Sequence, residues 1–341
     1  MRWVYFARFE YCDFKFQICF KIRISNFEDI LVMEILRSIP ELSQLPGPLF
    51  LAIGVFDGVH LGHQAVISTS AQHARAANGT PVVLTFDPHP EKILRPDKAP
   101  RLLTATSHKI ALIRALGVRH LLIIPFGKHF AATEPEDFVH QLVQSSKPLR
   151  EICVGHEWSF GRNRRGNLQL LEKLGAQFDF NVVGIPPVKV SGEIVSSTTI
   201  RRAVEAGDLK KAAIMLGREY TILGTVVHGD DLGKKMGFPT ANLSAHNEQF
   251  PPNGVYFAEA KVEGTVYPGV VNLGYRPTMS SAGSNRTLEV YLLDFDRDVY
   301  NKDLELRFVR YLRPEKKFEN VDALVRQIER DVEQARELAQ L

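Results

Sequence analysis

Thiols are scarce in this chain of 341 residues: Cys12, Cys19 and Cys153 are the only three. An odd, scattered set excludes a disulfide framework and offers no zinc-ligand spacing, so it suits a reducing, cytoplasmic setting. Long apolar runs are missing too, the best being Leu121 to Phe126, far short of the roughly 18 residues a membrane span needs. Charge of one sign is also lacking, since 42 Lys and Arg face 39 Asp and Glu for a net charge of +3. That balance implies neither a nucleic-acid surface nor an acidic-membrane surface, so any basic site must be local. The short basic clusters at Arg162, Arg164 and Arg165 and at Arg313, Lys316 and Lys317 have no interleaved aromatics for base stacking and read as solvated surface. Internal repeats and low-complexity segments are absent.

What is present is the composition of a globular protein, 45% hydrophobic and 24% charged, at a length that suggests two domains. Residues 1–32 stand apart as an N-terminal extension, because nine of the chain's 32 aromatics and two of its three cysteines fall there. Alternation from Phe14 to Ile24 reads as a half-buried strand, yet Met33 opens MEILRSIPEL, a plausible native beginning, and a start site placed too early accounts best for the extension. From Leu49 to Ile200, short apolar runs alternate with amphipathic helices near 62–77, 107–116 and 134–144. This predicts a parallel sheet covered on both faces, with ligands at the C-terminal ends of its strands. A helical junction is expected from Thr198 to Leu216. Beyond Tyr220, period-two segments separated by Gly, Pro and Asn turns predict an antiparallel barrel or sandwich. A closing helix shows Val321, Leu324, Ile328, Val332 and Leu338 on one face and should pack on that barrel. The expected division is 33–203, a linker helix over 204–217, and 218–341.

The stretch LAIGVFDGVHLGHQAVI, Leu51 to Ile67, runs from strand through a glycine-rich turn to a helix start, with His60 and His63 at the turn. Free N–H groups and the positive end of the helix dipole suit phosphate there. The H-x-G-H spacing lets both imidazoles reach one bound group, and Gly62 allows close backbone approach. A metal pair is the competing reading, weakened by the lack of a third ligand. Asp87, in TFDPHP, suits either a binding pocket or a turn cap before Pro88. Downstream, GTVVHGDDLGKKMGFPTANL runs from Gly224 to Leu243 and could wrap nucleotide phosphates. Thr240 and Asn242 offer oxygens on alternate, same-facing positions that could share Mg2+, or PTAN could be a structural turn. In TLEVYLLDF, Leu288, Val290 and Leu292 take one strand face while Glu289 and Tyr291 take the other, leaving Glu289 as a base or as a solvated carboxylate.

Together these motifs are informative. G-x-F-D-G-V-H-x-G-H (Gly54 to His63), TFDPHP (Thr85 to Pro90), VGHEWSFG (Val154 to Gly161) and VSSTTIR (Val195 to Arg201) occur in the order seen in the FMN adenylyltransferase module of bifunctional bacterial riboflavin kinase/FAD synthetases, which this sequence resembles. GKKMGFPTANL, PPNGVYFA (Pro251 to Ala258), VVNLGYRPT (Val270 to Thr278) and TLEVYLLDF resemble that family's riboflavin kinase module. The resemblance runs from Leu49 to Leu338. It implies a Rossmann-like nucleotidyltransferase domain followed by a β-barrel kinase domain with a terminal helix. It implies that riboflavin is phosphorylated to FMN and FMN adenylylated to FAD with loss of pyrophosphate, each step using ATP and Mg2+. By the same resemblance, His60 and His63 contact ATP phosphates during adenylyl transfer and Glu289 is the base of the kinase step. Nucleotide or phosphate contacts fall to Gly54, Phe56, Asp57, Gly58, Gly62, Gly155, Ser197, Thr198, Arg201, Gly233, Lys234, Gly237, Pro239, Thr240 and Asn242. Flavin contacts fall to Asp87, Glu157 and Asn272, and Mg2+ falls to Thr240 and Asn242. Glu157 stands where Asp or Asn is common, and Lys234 where Arg is usual, losing the planar fork.

Overall fold

The computed structural model describes residues 33–229, 233, 236–275 and 286–340. The strand expected over residues 14–24 and the loop residue Lys234 lie outside the described residues. The first layer is built from β1 (Glu34–Leu36), β2 (Leu49–Ile53), α1 (Leu61–Ala76), β3 (Thr80–Asp87), α2 (Pro90–Leu94), α3 (Thr106–Ala115), β4 (His120–Pro125), α4 (Lys128–Ala131), α5 (Pro135–Ser145), β5 (Leu149–Gly155), α6 (Leu168–Phe178) and β6 (Asn181–Ile185). Its six strands are all parallel, in the order β1-β4-β3-β2-β5-β6. Successive residues of each strand enter opposite cores. Leu51, Ile53, Leu84, Leu122, Ile152 and Val154 pack with Phe138 and Leu142 of α5 and Leu171 and Leu174 of α6. Ala52, Val83, Leu121, Ile123 and Cys153 pack with Val66 and Ile67 of α1 and Ile113 of α3. Burial on both faces explains why these strands read as continuous apolar runs, each buried Leu or Ile contributing about 1.5–3 kcal/mol. The chain order reverses between β2 and β5, which leaves a crevice at their C-terminal ends.

A small hairpin, β7 (Lys189–Val190) and β8 (Glu193–Ile194), precedes α7 (Ser197–Glu205) and α8 (Leu209–Leu216). The single helix expected from Thr198 to Leu216 is therefore two, and the linker helix expected over 204–217 is the last turn of α7, a break and then α8. Gly207, at φ +79°, turns the chain, and the Asp208 side chain accepts from Lys211 N–H to cap α8. Neither helix is a free linker. Ile200, Val204, Ala212, Met215 and Leu216 share one core with the strands that follow.

Those strands are β9 (Thr221–Val227), β10 (Ala241–Ala245), β11 (Gly254–Val262), β12 (Thr265–Tyr275), β13 (Arg286–Leu292) and β14 (Asp303–Arg313). They form a closed antiparallel barrel in the order β10-β13-β12-β11-β14-β9, so of the two β architectures expected the barrel is present. Alternating residues such as Val271, Leu273, Leu288, Val290, Leu304 and Leu306 fill its interior. On its outer wall Val255, Phe257, Val270 and Leu293 are covered by α9 (Val321–Ala339) through Val332, Ala335 and Leu338. A partly buried Arg313–Asp331 ion pair of 2.7 Å fixes the helix there. Val321, expected on the packed face, is 60% exposed because it is the first helical residue and lies beyond that wall.

Candidate functional site

The first site lies at the C-terminal ends of β2, β3 and β5, where the sheet leaves its crevice. After β2 the chain makes a tight turn in which Phe56, Gly58 and Val59 take φ of +53°, +84° and +41°. Positive φ at a β-branched valine costs energy and persists only where surrounding contacts fix it. The turn delivers His60 as the N-cap of α1, with its Nδ1 accepting from His63 N–H at 3.3 Å. The two imidazoles stack with ring centroids 3.5 Å apart, and the Phe56 ring stands edge-on to His63 at 5.3 Å. A Cβ added at Gly62 would come 3.1 Å from His60 Cε1, so this glycine makes room for the imidazole. His63 Nδ1 is buried without a hydrogen-bond partner among the described residues.

Burial pushes the His60 ring down to about 4 and the His63 ring well below the usual histidine range, with nearby Arg201 and Arg218 adding to the effect. Both rings are neutral near pH 7, so they meet an anion as hydrogen-bonding groups. Because the folded-state value of His60 lies below its unfolded value of 6.5, the unfolded chain takes up the proton first as pH falls. Stability should drop by about 2 kcal/mol between about pH 6.5 and about pH 5 at 1.36 kcal/mol per unit. Urea titrations of the chain and of His60→Asn should show a shallower decline for the variant, and identical slopes would rule out His60 as the source.

Asp57 is 4% exposed, and its carboxylate accepts from Leu103 N–H (3.1 Å), Thr104 N–H (3.0 Å), the Thr104 hydroxyl (3.2 Å) and Arg201 Nη2. The Arg201 Nε also donates to Arg101 O at 2.7 Å, and the Ser197 hydroxyl donates to Asp57 O at 2.9 Å. These bonds bring VSSTTIR to the histidine turn, with Thr198 exposed in the first turn of α7. Asp87, at the end of β3, accepts from the Thr106 hydroxyl at 2.7 Å and so holds the start of α3. Gly155 ends β5 with open space on its Cβ side, and Glu157 is exposed in the next turn. Arg162 and Arg165 both pair with Glu134.

Lys109 is absent from the sequence reading. It is 6% exposed, and its Nζ donates to Val55 O (3.2 Å), Thr85 Oγ1 (3.1 Å) and Phe86 O (3.1 Å), directly beneath the turn. Burial lowers its ammonium to about 8, against the pull of Asp57 and Asp87. Its partners lie 23 to 54 residues away in sequence, so no local pattern marks it.

The second site is on the outer wall of the barrel. Strand register sets Asn242 of β10 opposite Glu289 of β13, and Glu289 opposite Asn272 of β12. The three form one row across neighbouring strands and face away from the interior filled by Leu288 and Val290. Gly233 O accepts from Phe238 N–H at 2.8 Å, which folds the glycine-rich loop back on itself, and the Phe238 ring meets Tyr291 edge-on at 5.5 Å. Gly237 needs its φ of +86°, and Pro239 leads from that turn toward β10. A Cβ at Gly233 would lie 2.9 Å from Thr240 Oγ1, and one at Gly229 would collide with the Asn242 amide. The glycines therefore form a cradle around the two oxygen-bearing side chains. Among the described residues no three His, Cys, Asp or Glu converge on a metal position. Thr240 and Asn242 are hard oxygen donors, a donor type that would suit Mg2+.

A neutral imidazole pair at a helix N-terminus and a glycine cradle beside a carboxylate both suit phosphate, an arrangement consistent with a phosphate-transferring enzyme. Comparison with known proteins narrows this. The FAD synthetase family matches residues 43–199 and the riboflavin kinase family matches residues 216–339. The bifunctional riboflavin kinase/FMN adenylyltransferase of Escherichia coli K12 is 36% identical over 307 residues, covering 89% of this chain and 97% of that one. Its Bacillus subtilis 168 counterpart is 36% identical over 289 residues, covering 84% and 90%. The chain belongs to the bifunctional riboflavin kinase/FMN adenylyltransferase family. Its fold also matches the crystal structure of a macrolide-efflux protein from Streptococcus pneumoniae, with a TM-score of 0.74, 27% identity and coverage of 89% and 99%. No helix among the described residues is long and apolar enough to cross a membrane.

Proposed function

We propose that residues 33–203 adenylylate FMN to FAD, that residues 218–341 phosphorylate riboflavin to FMN, and that the two activities act in sequence in the cytoplasm on small molecules, with no nucleic-acid or membrane partner. What supports this reading is that one chain carries two separate constellations suited to phosphate, the stacked His60 and His63 over α1 and the Asn242, Glu289, Asn272 row on the barrel wall.

In the kinase step Glu289 accepts the proton of the ribityl 5′-hydroxyl as that oxygen bonds to the γ-phosphorus of ATP and the bond to ADP breaks. Gly233, Gly237 and Pro239 shape the loop over the nucleotide, the charge of Lys234 suits a nucleotide phosphate, and Asn272 faces the flavin. Thr240 and Asn242 would hold Mg2+, which would neutralise phosphate charge. In the adenylyl step a phosphate oxygen of FMN bonds to the α-phosphorus of ATP while the bond to the β-phosphate breaks, releasing pyrophosphate without a covalent enzyme intermediate. His60 and His63 hydrogen-bond the phosphates, the start of α1 supplies dipole and N–H groups, and Ser197, Thr198 and Arg201 complete the pocket. Gly54, Phe56, Asp57, Gly58 and Gly62 set the turn that presents the histidines. Gly155 leaves room beside the nucleotide, with Asp87 and Glu157 at the flavin side.

The test is to incubate the protein with ATP and Mg2+ starting from riboflavin in one reaction and from FMN in another, and to separate the flavins by chromatography. FAD from both is the expected result. FAD from neither, with no FMN formed, would make the chain a flavin-binding relative without catalysis.

A further inference from the structure

The strained turn of the adenylyl site is held from an unexpected direction. Arg218 lies just beyond α8, on the segment that enters the barrel. Its Nη2 donates to Gly58 O at 2.8 Å, and its Nη1 donates to Val59 O at 3.2 Å and to Leu216 O at 3.5 Å. Gln64 of α1 ties the same knot, its amide donating to Val59 O (2.9 Å) and Leu216 O (2.8 Å). Gly217, at φ +68°, lets the end of α8 approach so closely that an added Cβ would strike Leu61 Cδ2 at 2.6 Å. Arg218 forms no ion pair among the described residues, and its Nε is sealed from solvent without a partner there. A buried guanidinium placed on carbonyl oxygens, with no carboxylate bonded to it and Glu305 acting only at longer range, is a costly arrangement for stability alone. It is economical for fixing a backbone, because the planar fork bonds two successive carbonyls at once.

We propose that Arg218 is a positioning residue for adenylyl transfer: it clamps the carbonyls of Gly58 and Val59 from the barrel-side segment, so that the strained turn presents His60 and His63 in the geometry the reaction needs. This rests on the adenylyl reading of that site. The turn is held independently on its other side. Asp57 accepts from Leu103 and Thr104, Leu102 O accepts from Glu248 N–H and Gln249 N–H at 3.0 Å, and the Glu248 carboxylate accepts from Leu102 N–H at 3.0 Å. Loss of the guanidinium therefore leaves the two domains joined while freeing the turn to relax. The kinase site has no part in the knot, so the effect should be confined to one reaction.

The experiment uses the full chain, with Arg218→Ala and Arg218→Lys assayed beside the unaltered protein in both half-reactions. For Arg218→Ala, kcat for FMN to FAD should fall by about tenfold or more while KM for FMN stays within about threefold, because misplacement of the histidines acts on the transition state. Riboflavin to FMN should stay within about twofold. Millimolar guanidinium should restore part of the lost adenylyl kcat of Arg218→Ala, whereas methylammonium should not. Arg218→Lys, which keeps the charge and most of the packing, should still show the loss because a point charge cannot hold both carbonyls. Unchanged adenylyl transfer in either variant overturns the proposal, as does an equal loss of both reactions that guanidinium fails to rescue. Failure of the unaltered protein to make FAD from FMN would instead refute the adenylyl reading beneath it.

Discussion

Replacing Glu289 with glutamine is expected to lower the turnover of riboflavin to FMN by about 10²–10⁴-fold, the range that loss of a general base commonly costs. Glutamine keeps the size and the hydrogen-bonding reach of the side chain, so the strand pairing of Asn242, Glu289 and Asn272 should survive. What disappears is the capacity to accept the proton of the attacking hydroxyl. Adenylylation of added FMN should be untouched, since the histidine turn belongs to a different sheet. Steady-state assays of each half-reaction would show this, and a Glu289→Gln protein with normal kinase turnover would return Glu289 to a solvated strand carboxylate.

The mirror-image loss is expected at the histidines. His63→Ala should lower FMN to FAD turnover by about 10²–10³-fold, the usual cost of removing one donor aimed at developing phosphate charge. Riboflavin phosphorylation should continue and FMN should accumulate. His60 calls for a different replacement, because it also caps α1. Asparagine keeps a capping oxygen, whereas alanine would add about 1 kcal/mol of lost helix stability to any catalytic effect. His60→Asn should therefore lose adenylyl turnover with little change in melting temperature. If FAD formation persisted in both variants, phosphate binding would have to rest on the α1 N-terminus, Ser197 and Arg201 alone.

The parts of this protein that could be read from sequence are those whose signal is local. Strands such as Leu49–Ile53 and His120–Pro125 are continuous apolar runs because both faces of the parallel sheet are buried. Glu289 could be assigned to the outer face from period-two alternation alone, and the barrel register then set it between Asn242 and Asn272. The three-residue edge strand Glu34–Leu36 is too short to carry a period. The break between α7 and α8 was hidden by good helix formers on both sides of Gly207. Lys109 and Arg218 escaped for another reason. Val55 lies 54 residues from Lys109, and Gly58 lies 160 from Arg218, so their roles exist only once the chain has folded. Apart from Thr85 Oγ1 beside Lys109, the acceptors are backbone carbonyls, which leave no side-chain pattern to find.

One measurement reaches the central claim directly, because the two centres take different phosphorus atoms from ATP. The protein is given riboflavin and Mg2+ with ATP radiolabelled at the γ-phosphorus in one reaction and at the α-phosphorus in another, and the flavins are separated and counted. The γ-label should enter FMN and be retained in FAD, while the α-label should enter FAD only and the β- and γ-phosphates of the second ATP leave as pyrophosphate. Label from the α-position in FMN, or FAD that lacks it, would contradict the account of two distinct phosphate-transfer centres on one chain.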